Sequence, residues 1–144
     1  MALLSDFFVA AANELDQLDL AKGPATHFRC LRASRTDVVK IVRLQCLVDG
    51  TRFEDRLGGL DSLFVRTAGD DGPWIIGVPE PLVSKLATCN EEEINSLGTR
   101  WAKTEEWVLD GGKPENIVPL LLEIVKLARQ AEQENKKLYV WISL

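Results

Sequence analysis

The sequence is poor in the residues from which most catalytic and metal sites are built. It carries one histidine, His27, among 144 residues. That excludes an H-E-x-x-H zinc site and any two-histidine metal centre, and it leaves one imidazole as a candidate base. The three cysteines, Cys30, Cys46 and Cys89, are odd in number, widely spaced and without a C-x-x-C pair. A disulfide framework or zinc knuckle is therefore not expected, and reduced thiols in the cytoplasm are. No apolar run approaches the ~20 residues that span a bilayer. The stretch 1–6 has no basic residue ahead of its apolar patch and no cleavage site, so it does not read as a secretory leader. Basic charge is also in deficit: 17 Lys and Arg against 22 Asp and Glu leave a formal charge of −5, which argues against nucleic acid or an anionic membrane as main partner. Gly58-Gly59 and Gly111-Gly112 lack the spacing of a phosphate loop. No metal and no cofactor is expected.

What is present is a well-patterned core. At 144 residues the chain fits one domain, 1–144, able to bury roughly two-thirds of its unfolded surface. It shows no repeat, low-complexity tract or linker. The organising stretch is the last third, which ends on the apolar run 138–144. Seven such residues at a terminus are expected to be paired inside a sheet, because free ends fray. Ahead of it, Ile117, Leu120, Leu121, Ile124, Leu127, Ala128 and Ala131 repeat at helical spacing. That helix is expected to start at Asn116, because a start at Pro114 would bury Pro119 too deep in it. Asn90 and Glu93 form a variant capping box opening another helix, with Ile94, Leu97, Trp101 and Val108 on one stripe until Gly111-Gly112.

Upstream, 6–11 reads as a first strand, 13–20 as one or two helical turns stopped by Gly23-Pro24, and 28–33 as a half-buried strand. Ser34 or Thr36 is expected to cap the next helix, with Asp37 in its first turn. In that helix Val38, Ile41, Val42, Gln45 and Val48 share one face, Lys40 and Arg43 lie on the other, and Asp49-Gly50 closes it. A polar connection, 52–59, follows. Then comes a hairpin of 63–65 and 74–78 about the turn 69–73, and a short helix, 80–87, with prolines at its start. The whole predicts an α+β fold: a mixed or antiparallel sheet including the C-terminal strand, packed by three to four amphipathic helices.

Three groups of residues could carry chemistry. Trp101 and Glu105, four apart on one helix, would share a face, and a carboxylate beside an indole on an apolar stripe has a raised pKa, as a general acid needs. Glu106 and Glu123 are the possible assistants, and Glu106 can also pair with Lys103. The plainer reading is that Glu105 is hydrogen-bonded at the core edge. Arg29, Arg32, Arg35, Lys40 and Arg43 are opposed only by Asp37 and could converge on an anion or acidic partner, although solvated faces commonly carry such charges. Cys30 and His27, three apart on a strand, point to opposite faces and make a poor dyad. Cys46 and Cys89 read as small core residues.

Four tryptophans are many for this length. Trp101 and Trp107, six apart, point about 120° away from each other on a continuous helix. With Trp101 on the buried stripe, Trp107 falls at its edge near Arg100 and Lys103, as a contact for a partner or a second copy of the chain. The alternative is that the Gly111-Gly112 loop folds back over it.

The helix ending Leu47-Val48-Asp49-Gly50, the segment Leu82-Val83-Ser84-Lys85-Leu86-Ala87, and the tail from Leu127-Ala128 through Tyr139-Val140-Trp141 together resemble small uncharacterised bacterial proteins of the YfbM type. The Trp and His that such proteins carry in the middle helix are absent from 38–45. The resemblance implies an α+β domain without assigned catalytic residues, and some such small proteins look like immunity partners that neutralise toxins. The leading expectation is a cytosolic, non-enzymatic protein-interaction module, inhibitor or immunity-like. The alternatives are a carboxylate enzyme using Glu105 and an anion-binding protein using the basic segment.

Overall fold

The computed structural model describes residues 3–144. Met1 and Ala2, at the start of the stretch read above for a leader, lie outside the described residues. The strands are β1 (Leu4–Ala10), β2 (Cys30–Ser34), β3 (Phe64–Thr67), β4 (Trp74–Gly77) and β5 (Lys137–Ser143). They form one antiparallel sheet in the order β2-β1-β5-β4-β3, so the C-terminal strand sits at its centre. The helices are α1 (Val38–Asp49), α2 (Glu80–Ala87), α3 (Glu91–Ala102), α4 (Glu105–Leu109) and α5 (Pro114–Glu134). The α+β architecture and the paired terminal strand are as the sequence predicts.

Strand alternation divides the core in two. Phe7, Val9, Val140, Leu138 and Ile142 face the helices, where α2, α3 and α5 pack. Phe8, Ala10, Tyr139 and Trp141 face the other way, onto Leu15, Leu18 and Phe28 from the 3-10 turns of the segment 12–28. A strand covered on both faces has no solvent side, which explains the unbroken apolar runs 7–10 of β1 and 138–142 of β5. Trp141 Nε1 donates to the Leu20 carbonyl at 2.8 Å and ties that cover to the central strand.

Several boundaries differ from expectation for identifiable reasons. The N-cap of α1 is Asp37, whose carboxylate accepts from Lys40 N at 3.0 Å. Thr36 is instead buried at the sheet end, exchanging hydrogen bonds with Ser5. The connection 52–59 is a run of 3-10 turns within Phe53–Leu63. Helix α5 does begin at Pro114. Pro119 is tolerated because it lies on the exposed side, where water can satisfy the carbonyl its missing N–H leaves free. The Asn90–Glu93 capping box forms as predicted, with bonds of 2.8 and 3.0 Å.

The largest departure lies between residues 102 and 105. The sequence predicts one helix to Val108, but the chain breaks at Lys103, and Thr104 is extended at φ −67°, ψ 154°. Thr104 followed by Glu105 and Glu106 is a fresh helix start, with acids at the positive end of the dipole. Thr104 Oγ1 donates back to the Trp101 carbonyl at 2.7 Å, closing the end of α3.

Candidate functional site

The break between α3 and α4 brings residues from two separate parts of the sequence onto the start of α1. It turns Trp107 inward, so that Trp107 is 5% exposed and Trp101 is fully buried. The two indoles meet edge to face, with centroids 5.6 Å apart and planes at 90°. Gly112 closes over Trp107: its N–H donates to the Trp107 carbonyl at 2.7 Å, and a Cβ there would lie 2.9 Å from the indole. The expected surface at Trp107 is therefore corrected, and the loop folding back covers the ring. Val108, expected on the buried stripe, is turned outward.

Lys40 is the second correction. The helical pattern places it on the solvent side, yet it is 1% exposed because α4 covers that flank of α1. Its ammonium lies 4.1 Å from the centroid of the Trp107 ring and bonds to the Arg35 carbonyl and the Asp110 carboxylate. A buried ammonium needs both a counter-charge and hydrogen-bond acceptors, and Asp110, seventy residues away in sequence, supplies the charge. The Lys40 carbonyl accepts from Trp101 Nε1 at 2.9 Å. Trp107 Nε1 is buried without a partner among the described residues.

Arg43, one turn further along α1, forms a two-point pair with Glu106 at 2.7 and 3.2 Å and lies 3.5 Å from Glu105. Its guanidinium stacks on Phe53 at 3.8 Å. Glu106 thus pairs with Arg43 rather than Lys103, and the Arg43 hydrogen bond holds its carboxyl below the ordinary value. Glu105 does not share a face with Trp101, because the helix is broken between them; its side chain is 72% exposed. The apolar surroundings expected to raise a general acid are thus missing at Glu105, and its neighbour is driven the opposite way.

The basic segment is spent in the same manner. Arg32 reaches the buried Asp6 with bonds of 2.9 and 3.1 Å, and Arg35 donates to the Asp110 carbonyl at 3.0 Å. Arg29 lies apart, in a cleft of about 360 Å³ with Glu123 and Lys126, where Glu123 pairs with Lys126 at 3.0 Å. The structure thus gathers Arg35, Arg43, Glu105, Glu106 and Trp107 at the α1–α4 junction, and leaves Arg29, Arg32 and Glu123 elsewhere. Cys30 donates its thiol to the Phe28 carbonyl, and burial with the nearby Asp6 charge pushes its pKa up to about 11, a poor nucleophile. Cys46 and Cys89 are buried as expected. A second cleft, of about 350 Å³, is lined by Leu47, Val48, Lys85, Cys89 and Arg100 and holds none of the candidate catalytic or binding residues.

Lys40 and Asp110 are the pair that sequence reading missed. The signal available was a lysine flanked by Val39 and Ile41 on a mostly apolar helix. Nothing local pointed to Asp110 as its partner.

Fold and site together define an α+β domain whose central strands are covered on both faces and whose charged candidates are largely engaged within the fold. Neither a protein-family model nor a curated protein matches the chain. Its fold is similar to the crystal structure of YfbM from Escherichia coli, a protein of unknown function, with 12% identity over 96% of this chain and 99% of that one, at a TM-score of 0.47. This is the kind of protein that the sequence resembles. No helix among the described residues is long and apolar enough to cross a membrane.

Proposed function

We propose that this chain is a non-enzymatic protein-interaction module acting in the cytoplasm, of the inhibitor or immunity-like kind. One observation carries the reading. Val108 and Leu109 stand next to each other on α4 with exposures of 59% and 78%, on a segment fixed from beneath by Trp107, Lys40 and Arg43. Large apolar side chains on a rigid support lose little freedom when a partner covers them, which is the condition for a productive contact. The partner is a protein, and the net charge of −5 favours a basic one. The carboxylate-enzyme reading is disfavoured by the exposure of Glu105 and the Arg43 clamp on Glu106. The anion-binding reading is disfavoured by the engagement of Arg32, Arg35 and Arg43 within the fold.

The test is recovery of the tagged chain from its source cells. One protein co-purifying at fixed stoichiometry is expected. Recovery of the chain alone, with defined turnover of a small molecule, would overturn the proposal.

A further inference from the structure

A slot on the helix-facing side of the sheet lies beyond the start of α1, where the β3–β4 hairpin leaves the sheet uncovered. It encloses about 310 Å³, and its walls include Val38, Phe64, Trp74 and Ile76. Trp74 and Ile76 are two apart on β4 and so share a face; Phe64 pairs with Ile76 across the hairpin. The Trp74 ring is held in place by the turn: a Cβ at Gly72, where φ is +80°, would lie 2.8 Å from the indole. Only glycine permits both that backbone and that approach.

Among the described residues two charged ones line the slot, Asp37 and Asp70, and no basic one does. Neither carboxylate is paired with a cation among the described residues. One oxygen of Asp37 accepts from Lys40 N, which leaves the other free. Asp6 and Glu106, by contrast, are each held by an arginine of the chain itself. Here two carboxylates border an aromatic slot with no cation among the described residues, the complement of a planar cation on an apolar stem.

We propose that this slot receives an arginine side chain from the protein partner, the guanidinium bonding to Asp37 and Asp70 and its methylene stem packing on Trp74 and Phe64. Arginine fits better than lysine because its flat, weakly hydrated cation stacks on aromatic rings and meets carboxylates at two points. The volume is at the small end of ligand sites, which run about 300–1,000 Å³, and so suits one side chain. The slot and the Val108-Leu109 surface lie at the same end of α1, since Arg35, two residues before Asp37, bonds to Asp110 where α4 ends. The inference rests on the protein-interaction reading.

The experiment titrates the intact chain with the peptides acetyl-Gly-Arg-Gly-amide and acetyl-Gly-citrulline-Gly-amide and follows the indole N–H resonances by NMR. The arginine peptide is expected to shift Trp74 saturably and to leave Trp101 and Trp107 unmoved. The citrulline peptide, of the same shape without charge, is expected to bind about tenfold more weakly. The double variant Asp37→Asn/Asp70→Asn keeps an N-cap acceptor at 37 and should retain the melting temperature while losing roughly tenfold in affinity for the arginine peptide. Equal response to both peptides, no saturable Trp74 shift, or unchanged affinity in the double variant would overturn the assignment. Failure here is distinguishable from failure of the broader reading. A stoichiometric partner that binds the double variant as well as the parent ends the slot and leaves the module standing. A saturable Trp74 shift with no protein partner in the cell ends the module and, with it, the partner's arginine as occupant, leaving only a guanidinium-binding slot.

Discussion

Trp101 and Trp107 sit in contact, are both buried, and differ in one respect that shortening the ring can expose. Trp101 Nε1 has an acceptor, the Lys40 carbonyl at 2.9 Å, and Trp107 Nε1 has none among the described residues. Replacing either indole by phenyl removes similar volume and apolar area, a loss of roughly 1–2 kcal/mol if the site does not collapse. At Trp101 the change also removes a buried hydrogen bond worth about 1 kcal/mol, for a total of about 2–3 kcal/mol. At Trp107 it removes a buried donor with no partner, whose desolvation costs about 1–3 kcal/mol, so the two terms nearly cancel. Trp107→Phe should therefore lie within about 1 kcal/mol of the parent, while Trp107→Ala, which empties the site, should cost about 3–5 kcal/mol. Urea unfolding followed by far-UV circular dichroism reads these differences as midpoint shifts at constant slope. If Trp107→Phe costs as much as Trp101→Phe, the argument from the unpaired donor is refuted. If Trp107→Ala is neutral, the ring is not core at all.

Three further outcomes follow from single sites. Gly98 of α3 presses on Val118 of α5, and a Cβ there would lie 2.8 Å from Val118 Cγ2 and 3.0 Å from its Cα. Gly98→Ala should cost about 1–2 kcal/mol, overpacking outweighing the propensity gain of about 1 kcal/mol, as a lower urea midpoint. Glu106 is depressed by Arg43 from its ordinary value of 4.5. Its contribution is present above that value and is lost as pH falls through the lower, folded one. Glu106→Gln should thus melt earlier at pH 7 and approach the parent as pH falls below the ordinary 4.5 and through the depressed folded value in thermal scans. With its thiol pushed up to about 11, Cys30 should resist iodoacetamide at about pH 8 in the folded chain and react once urea unfolds it.

The fold was legible where the signal is local or periodic. The Asn90 box, the helical stripe of α5, the hairpin turn and the apolar terminal run all state their structure within a few residues. The α3–α4 break was written there too, as Thr104 ahead of two glutamates, but the stripe from Ile94 to Val108 reads as continuous when periodicity alone is followed. The site was much less legible, because its content is long-range. Lys40 is placed on the solvent side by its own helix and becomes core only when α4 closes over it with Asp110. The arginines at 32 and 43 read as an open basic stretch until Asp6 and Glu106 are brought to them from elsewhere in the chain. Charges count as available or spent only after tertiary pairing is known, and residues 26 to 70 positions apart do not announce that pairing.

The central claim, that the outer face of α4 docks a protein partner, is tested most directly by Val108→Ser/Leu109→Ser. Both side chains already stand largely in water, so the variant's melting temperature should match the parent's. Its affinity for the recovered partner, measured by calorimetric titration, should fall by roughly tenfold or more, the scale of losing two buried aliphatic contacts. Unchanged affinity at unchanged stability would contradict the claim.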